Sequence, residues 1–318
     1  MLTTAFGRTL GEALSDPTVT DILVNADGLL SVHFQDSRRE HRPSQLTDAE
    51  RERIVRLVAS SVDRDIDRLH PIVSAELPGG ARFEGLLPPL ALGPCFAIRK
   101  HAARILRLED YVATGDLTSE AAAVLREGVR HRKSLLIAGG AGAGKTTFAN
   151  AMIAEMARTH DRLILLEDTR ELQCAARDHL ALRTSEHASL ADLVRSALRL
   201  RPDRIIVGEV RGAEALDLLK AWNTGHPGGL ATVHANSARA ALYRLEQLIE
   251  EAAPRAPRHL IADAIDLVVF LAPPCQQARR HRRVETLARV EGLDEAGDYQ
   301  LRPLLAVGSA NPQPGEFL

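Results

Sequence analysis

The chain has little cysteine, few aromatics, no excess of either charge and no long apolar run. Each shortage closes off a class of function. Its 318 residues include only three cysteines, Cys95, Cys174 and Cys275. They stand far apart, which argues against a disulfide framework or a zinc knuckle and suits a reducing cytoplasm. Aromatic residues make up 3% of the chain, leaving few platforms on which unpaired bases could stack. The formal net charge of −2 supplies no basic excess for a phosphate backbone, so specific nucleic-acid binding is not expected. No apolar stretch approaches the roughly 20 residues that span a bilayer. The start, Met1 to Arg8, shows no basic segment leading into an apolar one, so no signal peptide is expected.

What remains is an ordinary globular composition, 45% hydrophobic and 26% charged, at a length that suits two domains. Residues 1–100 read as a small α/β domain. Asp21 to Asn25 and Leu29 to Phe34 flank a turn at Ala26-Asp27-Gly28 and predict a hairpin. Thr47-Asp48-Ala49-Glu50 is a capping-box pattern opening a helix with Ile54, Val55, Leu57 and Val58 on its apolar side. Strands follow at Val73 to Leu77, Arg82 to Leu87 and Phe96 to Arg99. Residues 101–117 read as a connecting segment, and 118–318 as the second domain. There the rhythm alternates helix and strand. The strands Leu135 to Ala138, Leu163 to Leu166, Ile205 to Val207, Leu230 to Val233 and Leu267 to Leu271 are continuously apolar. Helices at Ser119 to Val129, Leu190 to Leu200, Ala213 to Asn223 and Arg239 to Glu250 separate most of them. Apolar strands without polar alternation predict a mostly parallel sheet covered on both faces.

The most informative segment joins the first of these strands to a helix. Gly139-Gly140-Ala141-Gly142-Ala143-Gly144-Lys145-Thr146-Thr147 matches G-x-x-x-x-G-K-[ST]. Its glycines let backbone N–H groups and the positive end of a helix close on a phosphate chain. Lys145 would reach the β and γ phosphates of ATP, and Thr146 would offer its hydroxyl to Mg2+. Phe148, Ala149, Met152, Ile153 and Met156 give the following helix one apolar face.

In a parallel sheet the ligand sits beyond the carboxyl ends of the strands, so the residues there bear inspection. Glu167 and Asp168 follow one strand, with Glu171 shortly beyond. Gly208, Glu209 and Arg211 follow another, and His234 a third. Acids at strand ends can hold magnesium or orient an attacking water, although such acids also cap turns. Glutamate is longer than the aspartate commonly found at the Glu209 position, which favours contact with magnesium through a bound water. The water-activating base is Glu167 or Glu209. His226 and His234 flank one strand. A structural role is the commonest for such histidines, and no cysteine or acid completes a zinc site with them. A sensor of the γ phosphate, or a link to the glutamates, suits them better. The run Arg279-Arg280-His281-Arg282-Arg283 reads as a solvated loop, with acidic lipid or a partner as the lesser alternative.

Taken together, these motifs resemble the secretion-traffic ATPases of bacterial type II and type IV secretion. Four blocks match in order. They are the loop Gly139 to Thr147, the acidic box Leu165 to Leu172, the strand segment Arg201 to Arg211, and the histidine box Thr224 to Gly229 with Thr232 to Asn236. The stretch Glu76 to Pro89, followed by Phe96 to Lys100, looks like the conjugative-transfer branch, the TrbB type. The lack of paired cysteines sets the chain apart from the type II enzymes with a four-cysteine zinc subdomain. The resemblance implies a RecA-like P-loop NTPase domain after the N-terminal α/β domain, and a homo-hexameric ring. It places ATP between the two domains, with Arg82 and Arg99 approaching its phosphates. It also implies a hydrolase that powers a type IV secretion or conjugation channel, cytoplasmic and peripheral to the inner membrane. Its partners would be inner-membrane channel components and a coupling ATPase. A type IV pilus assembly or retraction motor of the same fold is the alternative. Intact Lys145, Glu167 and Glu209 argue against a non-hydrolysing scaffold.

Overall fold

Contacts divide the chain into two units, Met1–Arg104 and Ile105–Leu318. The computed structural model describes residues 5–34, 38–44, 46–100, 105–272 and 283–306. In the first unit, helix α1 (Gly7–Ser15) precedes strands β1 (Val19–Val24), β2 (Leu29–Phe34) and β3 (Arg39–Pro43). Helix α2 (Asp48–Ser61) leads to β4 (Ile72–Glu76), β5 (Arg82–Leu86) and β6 (Cys95–Arg99). The strands form one sheet in the order β3-β2-β1-β6-β5-β4, antiparallel at every step. Thr47 caps α2 by accepting the Glu50 N–H, and the Glu50 carboxylate takes the Thr47 N–H at 2.8 Å. Ile54, Val55 and Val58 of α2 share a core with Ile22, Val32, Phe83 and Ile98 of the sheet. The helix approaches closely at Gly85, where a Cβ would stand 2.9 Å from a Val55 methyl. No larger residue fits there without displacement.

In the second unit, α3 (Leu108–Ala113) and α4 (Ser119–Arg130) precede β7 (Leu135–Gly139) and α5 (Lys145–Met156). The chain continues through β8 (Leu163–Glu167), β9 (His179–Arg183), α6 (Leu190–Ala197), β10 (Arg204–Val207) and α7 (Glu214–Asn223). It closes with β11 (Leu230–His234), α8 (Ala238–Glu250), α9 (Arg258–Ala264), β12 (Leu267–Leu271), β13 (Val284–Leu293) and β14 (Tyr299–Ala306). The sheet order is β14-β13-β12-β7-β11-β10-β8-β9. From β12 to β9 every pairing is parallel, while β13 and β14 add an antiparallel margin. Every residue of β7, β8, β10 and β12 is buried. That is what strands covered on both faces require, and why they read as apolar runs, with charge at Glu167 ending β8 and at Arg204 opening β10.

On one face of this sheet Val194, Leu218, Trp222, Leu245 and Ile261, from α6 to α9, pack on Leu136, Ile164, Val207 and Val233. On the other, Leu125 and Val129 of α4 and Phe148, Met152 and Ile153 of α5 pack on Ile137, Leu165, Ile206 and Val269. The architecture is a RecA-like mostly parallel α/β domain preceded by a smaller α/β unit.

The structure differs from the expected connecting segment at 101–117. Leu108 and Tyr111 of α3 are 0% and 3% exposed, and the Tyr111 ring meets Phe148 edge-on at 5.3 Å. Residues from 105 onward thus belong to the second core; the six residues of α3 are too few to show helical periodicity in sequence. Cys275 and residues 279–282 of the arginine run lie outside the described residues. Among the described residues no helix is long and apolar enough to cross a membrane.

Candidate functional site

The parallel register brings the carboxyl ends of β7 and β11 side by side, with Gly139 opposite His234. The ends of β8 and β10 are likewise adjacent, with Leu166 opposite Val207. From β7 the glycine loop turns into α5. Gly142 and Gly144 take φ of 73° and 90°, the left-handed region in which a side chain would be strained. No side chain caps α5, so its first N–H groups and the positive end of its dipole are presented by the loop itself. Lys145 is 7% exposed. Its ammonium donates to the carbonyls of Gly139 at 3.0 Å and Gly140 at 3.1 Å, and stands 3.2 Å from His234 Nε2. Burial lowers the Lys145 pKa from its ordinary value, and the nearby Glu209 carboxylate opposes that shift.

Thr146, the next residue, donates its hydroxyl to Glu171 Oε2 at 3.0 Å. One turn further along α5, Asn150 donates to the Glu171 carbonyl at 3.1 Å and accepts the Gln173 N–H at 2.8 Å. The segment after β8 is thereby folded back onto the loop helix. Glu167, at the end of β8, is 4% exposed. Its Oε1 accepts the N–H groups of Glu171 at 2.9 Å and Leu172 at 2.8 Å. Burial raises the Glu167 pKa, and these two hydrogen bonds work against the rise.

Glu209 lies between an imidazole and a guanidinium. His234 Nε2 is 2.8 Å from its Oε1, and Arg211 donates to its Oε2 at 2.7 Å. Desolvation, followed by the neighbouring Lys145, lowers the His234 pKa, while Glu209 pulls it up. Arg211 is aimed by Glu214, a buried carboxylate that accepts the N–H groups of Arg211 and Gly212 at 2.7 and 2.9 Å. Lys145, His234, Glu209 and Arg211 therefore form one continuous polar chain from the loop to the end of β10. The Thr146 hydroxyl and the Glu171 carboxylate meet at the start of α5, oxygens of the kind magnesium takes, while among the described residues no three His, Cys, Asp or Glu side chains cluster to hold a metal ion.

His226 is not part of this constellation. It precedes β11, so the length of that strand separates it from His234, and its Nδ1 stands 2.9 Å from the Pro202 carbonyl. Arg82 and Arg99 lie in the first unit, directly opposite one another on β5 and β6. Glu76 stands across from Arg82 on the other side, and Arg99 donates to Asp21 at 2.8 Å. Sequence reasoning named Glu171 and Arg211 without giving them a partner. Asn150 was the available signal, a polar residue four positions after Thr146, flanked by the apolar Phe148, Ala149, Ala151 and Met152.

A parallel sheet whose first loop cradles a helix terminus, with acids and a histidine at the next strand ends, defines the RecA-like class. The family model for the Type II/IV secretion system protein matches residues 8–305, and the chain belongs to that family. It is 46% identical over 294 residues to conjugal transfer protein TrbB of Rhizobium radiobacter, covering 91% of this chain and 88% of the relative. It is 33% identical over 313 residues to type IV secretion system protein PtlH of Bordetella pertussis, covering 86% and 91%. Among solved structures it is similar to the VirB11 ATPase of the Brucella suis type IV secretion system, with a TM-score of 0.50 and 26% identity over 91% of this chain and 94% of that one. It shares its fold with the pilus retraction motor PilT bound to ADP, at a TM-score of 0.60 and 21% identity over 94% and 82%.

Proposed function

We propose that the chain is an ATPase that works as a homo-hexamer and uses ATP with Mg2+ to power a type IV secretion or conjugative transfer system. The observation that carries this reading is the contact of Lys145, on the glycine loop, with His234, and of His234 with Glu209. The carbonyls that hold Lys145 belong to the loop itself, so the ammonium has only a short path to a β or γ phosphate seated there. The loop N–H groups and the α5 terminus would hold the phosphate chain. Thr146 and Glu209 would hold the metal, Glu209 through a bound water. Magnesium would neutralise charge on the β and γ phosphates. Both Glu209 oxygens already face nitrogen partners, His234 Nε2 and the Arg211 guanidinium, and a carboxylate held at this strand end suits the metal side. Glu167, with its pKa raised by burial, is the better proton acceptor and is assigned to activate water. His234 would report the γ phosphate to Glu209.

Arg82 and Arg99 would approach the phosphates from the N-terminal unit, and motion of the two units against each other would be the mechanical output. The inner-membrane channel components and a coupling ATPase would be the partners, the ring being cytoplasmic and peripheral to that membrane. The pilus-motor alternative rests on likeness of fold, whereas the conjugal relatives resemble the chain at 45–46% identity, which favours conjugation. The test is ATP turnover by the purified full chain with magnesium and with chelator, together with mass by light scattering. Magnesium-dependent turnover and a sixfold mass with nucleotide are expected; a chain that neither binds nor hydrolyses ATP would overturn the proposal.

A further inference from the structure

Thr232 sits in the middle of β11 with 1% exposure, between Ala231 and Val233, which are buried in the apolar core. A hydroxyl in such a place is unfavourable unless it is hydrogen-bonded. It donates to the Gly208 carbonyl at 2.6 Å, and the Thr232 carbonyl accepts the Val210 N–H at 2.9 Å. One residue thus holds the backbone on both sides of Glu209. The position matters because β10 ends at Val207; on the β8 side the Gly208 N–H still pairs with the Leu166 carbonyl at 2.9 Å, and on the β11 side Thr232 holds the chain up to and past the acid. The period of two along a strand puts His234 on the same face as Thr232, and His234 takes the Glu209 carboxylate at 2.8 Å. β11 therefore fixes Glu209 twice, by its backbone through Thr232 and by its side chain through His234. Gly208 also packs tightly on the other acid, since a Cβ there would stand 3.1 Å from Glu167 Cγ.

We propose that Thr232 is a positioning residue, whose hydroxyl sets the Gly208–Val210 backbone and through it the Glu209 carboxylate relative to Thr146. The inference rests on the hydrolytic reading and assigns to Thr232 a role outside the phosphate and metal contacts themselves. Thr232→Val keeps the shape and removes the donor, whereas Thr232→Ser keeps the donor and removes a methyl. In the full-length protein Thr232→Val lowers kcat by roughly ten- to hundredfold with KM for ATP changed by less than about twofold, and Thr232→Ser recovers most of the loss. A second readout needs no turnover. Fluorescent ADP is titrated with and without magnesium, and the magnesium concentration for half-maximal enhancement of binding rises several-fold in Thr232→Val only. Thr232→Ala carries the same expectation if the valine variant does not fold. Wild-type kcat and magnesium dependence in the donor-less variants overturns the positioning role. If the wild type does not hydrolyse ATP, the hydrolytic reading fails on its own. The magnesium titration then still decides, since equal dependence in wild type and Thr232→Val overturns the positioning role as well.

Discussion

The two sheets of this chain carry their polar residues in different places. In the N-terminal sheet the charges lie in a row across the strands: Glu76 opposite Arg82, Arg82 opposite Arg99, Arg99 opposite Asp21. In the RecA-like sheet β7, β8, β10 and β12 are apolar through their middles, and apart from the buried Arg204–Asp161 pair at the start of β10 the polar groups of the site gather at and beyond the carboxyl ends. The second arrangement gathers a glycine loop, a helix terminus and polar side chains within one unit. The first sets two arginines side by side on β5 and β6, Arg82 just after the turn at Gly79-Gly80. Two arginines directly opposite one another repel, a destabilising arrangement offset in part by Glu76 and Asp21. The contrast predicts that loss of second-unit residues removes binding or chemistry, whereas loss of first-unit arginines removes chemistry alone.

The largest expected effect is that of Lys145→Ala. Removing the ammonium takes away a phosphate charge and little core packing, so turnover falls about a thousandfold while the circular dichroism spectrum is kept. Wild-type turnover in this variant would break the comparison at its root. Glu209→Gln comes next. The amide keeps the shape but not the charge shared by His234 and Arg211, so ATP remains bound and hydrolysis slows by about a hundredfold. Nucleotide retained on the protein after rapid desalting separates that outcome from loss of binding.

Arg82→Ala and Arg99→Ala sharpen the contrast with a smaller effect. Each should slow hydrolysis by roughly tenfold, the loss of one charge-assisted hydrogen bond, with ADP affinity unchanged because ADP lacks the γ phosphate. Fluorescent ADP titration beside steady-state kinetics measures both. Equal turnover in the two variants and the wild type would reduce the arginine pair to an ordinary surface feature.

Much of this contrast was legible in sequence, for reasons that differ between the sheets. β7, β8, β10, β11 and β12 announce themselves because burial on both faces demands consecutive apolar residues. β9 does not, since at the margin of the sheet His179–Arg183 is exposed at every second residue and half-buried between, and its five residues carry too little pattern. The β13–β14 pair also went unread; it is an antiparallel addition after a series of parallel strands, and its alternation is weak. In the site, the strand-end rule pointed to Glu167, Glu209 and His234 because register alone brings strand ends together. His226, named beside His234 because the two flank one strand, precedes β11 and meets the Pro202 carbonyl instead. The contact of Thr146 with Glu171 depends on how the chain turns after β8, which spacing does not encode. Thr232 is hidden for another reason: threonine is common in strands, and only its burial beside Gly208 marks it.

The smallest expected effect separates stability from activity at one residue. Glu167 is buried at the end of β8, and its folded-state pKa lies above the ordinary carboxylate value because burial disfavours the charge. A carboxyl whose pKa is raised on folding supports the fold fully only below its unfolded pKa, and that support is lost as pH rises through the folded pKa. At neutral pH the ionised Glu167 is therefore a liability to the fold, retained in spite of its cost. Glu167→Gln keeps an oxygen to accept the Glu171 and Leu172 N–H groups and removes the buried charge. The variant should melt slightly higher than the wild type at pH 7, by roughly 2 °C, and the gap should close as pH falls toward the unfolded pKa. The same substitution should slow ATP turnover if Glu167 activates water. Melting curves between pH 4 and about 8, beside turnover at pH 7, test both halves. A variant less stable than wild type at neutral pH would make Glu167 a turn cap whose negative charge strengthens its two hydrogen bonds. Higher stability with full turnover would leave the charge without a chemical role and move the search for the base to Glu209 and Glu171.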